Sequence, residues 1–299
     1  MSENPSVEVV ENSTGRIYVI GGAGYPSVTS VLGEAFPKGF LVSWHGRMAA
    51  GRAVDRFEDL RRMIAMGQWD EAKQWLAEAA DDYRDEKADR GARVHLLVED
   101  WFSGRIDQVL NDPEIDPAEG TEWERLGPPT VEECKLADKT VQWLERDDVT
   151  VVDMEKACWH DGGANESMGS SAYPGPWGGR ADLWIETTNP KLCAEFGTAA
   201  PARLLCDIKT GNSLSVPSAV QLHAYNLCDE SESEFWPPRH DAVRFHGGLI
   251  LHVGVRGVRP RPVIWTEELD LAWRGCLLMR RLAREEFAER DPIGRKVEM

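Results

Sequence analysis

Leu204-Leu205-Cys206-Asp207-Ile208-Lys209-Thr210 is an apolar run that carries one acid and one base two positions apart. Side chains of a β-strand alternate faces with period two, so Asp207 and Lys209 project from one side while Ile208 turns to the other, toward a core. An unpaired carboxylate within such a run is costly to bury. The pair therefore belongs where the strand emerges into a cleft. D-x-K is a short and common pattern, and its meaning comes from its neighbours.

Upstream, Gly179-Arg180-Ala181-Asp182-Leu183-Trp184-Ile185 reads as a preceding strand, and a return over residues 188–201 lets it pair with the Asp207 strand. Two carboxylates then converge. Hard divalent cations favour carboxylate, carbonyl and water oxygens, so Asp182, Asp207 and the Ile208 backbone carbonyl suit an open site completed by water and a substrate phosphate. Earlier in the chain, Gly91, His95 and Glu99 stand at i, i+4 and i+8 of a helical stretch, broadly on one face, with Gly91 small enough to permit close approach. Downstream, Gln221 and Tyr225 lie one helical turn apart, directly after the D-x-K strand.

In order, spacing and context these blocks resemble the RecB-type branch of the PD-(D/E)XK nucleases, which includes phage recombination exonucleases and the exonucleases associated with CRISPR adaptation. That branch shows a helix with G-x-x-x-H-x-x-x-E, a strand with G-x-x-D, a strand with D-x-K and a helix with Q-x-x-x-Y. The likeness extends from the Tyr25-Pro-Ser-Val-Thr-Ser-Val-Leu32 opening and the Trp44 helix to about residue 265. It implies an α/β restriction-endonuclease-like fold: a mixed central sheet flanked by helices, with an N-terminal helical portion. It further implies His95, Asp182 and Asp207 as metal ligands, with Glu99 as a further candidate. Lys209 would position or activate water, and Gln221 and Tyr225 would support it. The implied cofactor is Mg²⁺ or Mn²⁺, one or two ions, and the implied reaction is hydrolysis of DNA phosphodiesters. An exonuclease processing duplex ends or single strands in phage or bacterial recombination or replication comes first, and an endonuclease second. A recruitment module of the same fold, with a single-strand binding or annealing protein as partner, is the reading from another class; an oligomer is compatible with all three. The CRISPR-associated relatives hold an iron-sulfur cluster through four cysteines, three of them close together near the C-terminal end. Only Cys276 follows Asp229 here, so no iron-sulfur cluster is expected.

At 299 residues the chain sits near the upper limit for one hydrophobic core. The layout expected is a single elaborated domain: a flexible tail over 1–15, a helical N-terminal portion over 16–145 that contributes His95, a nuclease core over 146–290, and a tail over 291–299. The 42% hydrophobic and 28% charged content excludes disordered and fibrous classes. Apolar runs fall short of the roughly 18 to 20 residues that span a bilayer, and the polar, acidic start is unlike a signal peptide. A cytoplasmic protein is expected. Six scattered cysteines without a C-x-x-C pair indicate reduced, buried thiols.

The net charge of −17 weighs against nucleic-acid binding, which ordinarily shows a basic footprint. The acid is concentrated at 70–89, 112–133 and 229–234, however, and the arginines cluster elsewhere. Arg47, Arg52, Arg56, Arg61 and Arg62 read either as a solvated face or as a phosphate-binding wall. Arg180, the hairpin set Arg256, Arg259 and Arg261, and Arg280, Arg281 and Arg284 read either as a DNA track or as ordinary surface charge. Trp44, Trp177 and Trp236 are either core or base-stacking residues. Gly21-Gly-Ala-Gly24 lacks the G-K-[ST] ending of a phosphate loop and reads as a turn. A short helix capped by a Ser or Thr within 25–32 and stopping at Gly33 is expected, with further helices over 41–66, 70–102, 131–144, 217–228 and 266–290, and an acid-rich surface insertion over 111–130. Strands are expected over 16–20, 149–159, 179–188 and 203–210, followed by a hairpin over 247–265.

Overall fold

In a computed structural model of the chain, which describes residues 5–12, 15–36, 40–106, 122–162, 173, 175–199, 201–211, 214–237 and 244–282, the Asp207 strand lies inside a six-stranded sheet. The chain begins with an antiparallel meander, β1 (Val7–Asn12), β2 (Gly15–Ile20) and β3 (Ala23–Pro26), followed by α1 (Val28–Ala35), α2 (Phe40–Asp55), α3 (Phe57–Ala65), α4 (Trp69–Ala77), α5 (Ala79–Phe102), α6 (Glu122–Leu126) and α7 (Val131–Leu144). The second half runs β4 (Val149–His160), β5 (Trp177–Thr187), α8 (Pro190–Glu195), β6 (Ala202–Lys209), α9 (Val216–Asn226), β7 (Glu230–Ser231), β8 (Gly247–Gly254), β9 (Gly257–Val263) and α10 (Glu267–Arg281).

The large sheet has the order β7-β4-β5-β6-β8-β9. It is mixed: β6 and β8 are parallel and every other neighbouring pair is antiparallel. A parallel pair needs a crossover, and α9 lies within it. Period two then divides the sheet between two helical layers. Leu204, Cys206 and Ile208 pack with Val94, Leu97 and Val98 of α5 and Leu136 and Val141 of α7. Leu205 and Ile250 pack on the other face with Val220 and Leu222 of α9 and Trp273 and Leu277 of α10. The chain is thus α/β, with a mixed sheet flanked by helices. Among the described residues no helix is long and apolar enough to cross a membrane.

Local chemistry sets the element ends. Thr130 and Glu133 form a reciprocal capping box at α7, and Ser27 accepts from the Ser30 amide at the start of α1. Gly21 and Gly22 take φ 55° and 85° in the β2–β3 turn, which is the left-handed geometry a tight hairpin demands. Several expectations need correction. The first fifteen residues include β1, whose Val7 to Asn12 ladder with β2 forms from alternation too short to stand out. The stretch 41–66 is two helices broken at Arg56, and 70–102 is two helices meeting at Glu78. Helix α1 runs past Gly33 to Ala35, and the latter part of the acid-rich insertion carries α6. Residues 107–121, Arg284, the end of the closing helix over 283–290 and the tail over 291–299 lie outside the described residues.

Candidate active site

The sheet is irregular where the acids converge. Met154 pairs with Leu183 and Lys156 with Ala181, which leaves Glu155 and Asp182 between those rungs without a pairing. Ala181 packs toward α9 and α10, whereas Leu183 packs toward α5 and α7; in a regular strand, residues two apart share a face. The phase therefore flips at Asp182. Glu155 has φ 49° and is the one positive-φ residue other than glycine among those described. A side chain in that region is uncommon and marks local strain, which is tolerated where the surroundings enforce it.

Helix α5 brings His95 over this rung. Its Nδ1 stands 3.5 Å from Asp182 Oδ2 and 3.7 Å from Glu155 Oε1, and ligand atoms of His95, Glu155 and Asp182 all lie within 4.8 Å of one another. The other ring nitrogen, Nε2, is 2.9 Å from the Ile208 carbonyl oxygen. A carbonyl only accepts, so Nε2 carries the proton and Nδ1 faces the carboxylates. The Ile208 carbonyl, expected as a direct ligand, accepts this hydrogen bond with one of its two lone pairs, and the contact orients the imidazole, as an outer partner does in a metal site. The Ile208 amide donates to Asp182 Oδ2 at 2.7 Å, fixing that carboxylate across the end of the β5–β6 ladder.

Asp207 and Lys209 emerge on one side of β6, and Lys209 Nζ donates to Asp207 Oδ1 at 2.6 Å. Asp207 is only 2% exposed, and its second oxygen, Oδ2, is buried without a hydrogen-bond partner among the described residues. Burial, reinforced by Asp182, pushes the Asp207 carboxyl up to about 6 despite the opposing pull of Lys209. Burial likewise raises Asp182, and His95 pulls it back in part. For His95, burial disfavours the charged ring, but Asp182 and Glu155 outweigh it and hold its pKa up to about 9. Burial also works against the Lys209 ammonium, and Asp207 and Asp182 more than compensate, so it stays charged. Three carboxyl groups thus face one imidazolium and one ammonium, one positive charge short of balance.

The group opens into a cleft of about 870 Å³ between α5, the β1–β3 meander and the near end of α9. Gln221 and Tyr225 line its wall, joined by a 3.0 Å hydrogen bond from Gln221 Nε2 to the Tyr225 hydroxyl. Gly179 is what admits that tyrosine: a Cβ there would stand 2.3 Å from Tyr225 Cε1. Gly91 differs, since a Cβ on it would meet only Thr210 Oγ1 at 3.8 Å, an ordinary contact. Its smallness widens the cleft and is not needed for close approach to the sheet.

The donor set suits a divalent cation. It offers carboxylate oxygens and one imidazole nitrogen with no thiolate, the set that hard cations prefer, and the orphaned Asp207 Oδ2 is an uncompensated buried acceptor of the kind a cation satisfies. Glu155 was missed in the sequence; the nearest signal is an acid in the strand that flanks the Asp182 strand. Glu99 lines the cleft one turn past His95 but is paired with Arg105 at 3.0 Å and stands outside the three-residue group.

The arginine expectations divide. Arg180 lines the cleft; Arg47, Arg256, Arg259 and Arg261 are exposed but do not line it. Arg52, Arg56, Arg61 and Arg62 each pair with a carboxylate, which favours the solvated face. Arg280 is buried against Glu34 at 2.8 Å, tying α10 to α1, and cannot track DNA. Trp177 is fully buried and packs edge-on to Trp273, so it cannot stack on a base. Trp44 and Trp236 pack against Tyr83 and Phe245 away from the cleft. Compared with models of protein families and with curated proteins, the chain matches none.

Proposed function

We propose that this chain is a divalent-metal-dependent deoxyribonuclease with a PD-(D/E)XK core, working as an exonuclease on DNA ends. The observation that carries the reading is the convergence of His95, Glu155 and Asp182 beside the Asp207–Lys209 pair at the floor of an open cleft. His95, Glu155, Asp182 and Asp207 would hold Mg²⁺ or Mn²⁺. The chemistry such an ion supplies when bound is Lewis acidity toward the scissile phosphate and the attacking water.

The residues themselves account for the rest. Lys209, kept as an ammonium by Asp207 and Asp182, stabilises negative charge that develops on the phosphate. His95 surrenders the proton at Nδ1 to become a ligand, while the Ile208 carbonyl keeps Nε2 protonated and the ring aligned. Gln221 and Tyr225, locked to one another, shape the wall against which the sugar-phosphate lies. No covalent intermediate is needed, since none of these groups is a poised nucleophile.

The test is incubation of end-labelled linear duplex and closed circular DNA with Mg²⁺, Mn²⁺ or EDTA, for wild type and Asp207→Ala. Loss of linear DNA alone, requiring metal and Asp207, is the expected result. Cleaved circles would make it an endonuclease of the same site. The second reading, a recruitment module, draws support from the net charge of −17, and absence of cleavage in every condition would favour it.

A further inference from the structure

We infer that Arg180 and the Tyr18 hydroxyl form a separate subsite for a non-scissile backbone phosphate, making a polynucleotide strand, and not a lone phosphodiester, the substrate of this cleft. The inference rests on the nuclease reading and deepens it. Besides His95, five lysines and arginines line the cleft, and four have a carboxylate close by: Arg16 with Glu11, Arg125 with Asp89, Lys209 with Asp207, and Lys87 with Glu86 at a looser 3.7 Å. Arg180 alone of the five makes no ion pair among the described residues, although it is exposed. In a chain this acidic, an unneutralised guanidinium in the one cleft that carries the converging acids is a fork of donors without an acceptor, and a phosphate fits it bidentately.

The neighbouring structure completes the subsite. Tyr18 and Tyr25 pack against Gly178, their Cβ atoms 3.5 and 3.2 Å from where its own Cβ would be, and Ser27 bridges to Gly178. The β1–β3 meander is therefore seated on β5 at this point. Gly178 and Arg180 are two apart on that strand and share a face, so Arg180 follows next to Tyr18. Burial pushes the Tyr18 hydroxyl up while Arg180 and Arg16 pull it back, which puts both guanidinium groups within its electrostatic reach. Arg16, held by Glu11 through Nε at 3.0 Å and Nη2 at 2.8 Å, stands behind as a fixed second cation. Along the strand, Arg180 is two residues from Asp182, about 6.6 Å of backbone, so the two residues act on neighbouring parts of one bound strand.

The experiment compares KM for bis(p-nitrophenyl) phosphate, which has one phosphate, with KM for a single-stranded oligonucleotide, in wild type, Arg180→Ala, Arg180→Lys and Tyr18→Phe with Mg²⁺ or Mn²⁺. In wild type the oligonucleotide should bind about ten- to a hundredfold better, the worth of a charge-assisted phosphate contact. That advantage should collapse in Arg180→Ala, recover in part in Arg180→Lys and shrink in Tyr18→Phe, which keeps the ring packed on Gly178. The salt dependence of oligonucleotide KM should lose about one phosphate's worth of slope in Arg180→Ala. If wild type cleaves both substrates and the advantage survives unchanged in Arg180→Ala, the subsite is overturned while the nuclease reading stands. If wild type cleaves neither, both fall together.

Discussion

Glu155 and Asp182 meet across β4 and β5 between the Met154–Leu183 and Lys156–Ala181 rungs, a position the ladder leaves unpaired close to its register shift at Val151/Asp153, and Glu155 reaches that place with φ 49°. The ladder gives up its regularity where two carboxylates and His95 meet. Strain held at a site that needs it is relieved by glycine, which takes positive φ freely. Glu155→Gly should therefore leave the stability of the metal-free protein within about 1 kcal/mol of wild type, relief of the positive φ offsetting the glycine entropy and the lost contact to His95, while reducing Mg²⁺-dependent cleavage by about ten- to a hundredfold or more. Thermal melts in EDTA and initial rates in Mg²⁺ give the two readouts; a variant as active as wild type would remove Glu155 from the site.

Gly179 and Gly91 occupy equivalent places in the sequence pattern but not in the fold. Alanine at Gly179 forces the Tyr225 ring to move from a 2.3 Å overlap, and overpacking of this kind costs about 1–3 kcal/mol. Alanine at Gly91 meets nothing closer than 3.8 Å and gains helix propensity of up to about 1 kcal/mol. Urea unfolding should rank Gly91→Ala at or above wild type and Gly179→Ala clearly below it. The reverse order would contradict the placement of α9 against β5.

The site's proton inventory predicts how stability follows pH. Asp207 holds its proton up to about 6 when folded and only to about 3.9 when unfolded, so stability falls as pH rises through that window. His95 is raised to about 9 from its ordinary 6.5; its contribution is full below about 6.5 and is lost as pH rises through about 9. Both slopes have the same sign, so in EDTA the Tm should decline from about pH 5 to about pH 9. A divalent cation replaces those protons, and the Tm gain from Mg²⁺ should grow over the same range. A gain from Mg²⁺ that shrinks with pH would be inconsistent with His95 as a ligand.

Arg256, Arg259 and Arg261 are exposed on the β8–β9 hairpin, outside the cleft. Replacing all three with alanine should change kcat/KM on duplex DNA by less than about threefold, in line with exposed charges that hold no substrate. A loss of about a hundredfold would move the DNA path onto that edge of the sheet.

What the sequence makes legible follows from period and spacing. Asp207 and Lys209 can be read because a strand alternates, and His95, Gln221 and Tyr225 because helical turns bring them to one face. The longer second-half strands also show in apolar alternation, whereas α8 inside the expected return over 188–201 and the two-residue β7 carry no such signal. Glu155 cannot be read that way: a left-handed residue inverts the alternation on which the reading depends, and the inversion is imposed by tertiary contacts with β5 and α5. The engagement of the Ile208 carbonyl by His95, 113 positions away, and of Arg280 by Glu34, 246 positions away, likewise has no local signature. Charge type is visible in a sequence; which arginine is already neutralised is not, and that distinction separates Arg180 from Arg52 or Arg280.

The central claim is that His95, Glu155, Asp182 and Asp207 make one divalent-cation centre, and titration with Mn²⁺ followed by electron paramagnetic resonance tests it most directly. Free aqueous Mn²⁺ gives a sharp spectrum that binding broadens. At about neutral pH, wild type should remove Mn²⁺ from solution saturably, at one or two ions per chain, and the double variant Glu155→Gln with Asp182→Asn should not. Equal Mn²⁺ uptake by wild type and the folded double variant would contradict the account.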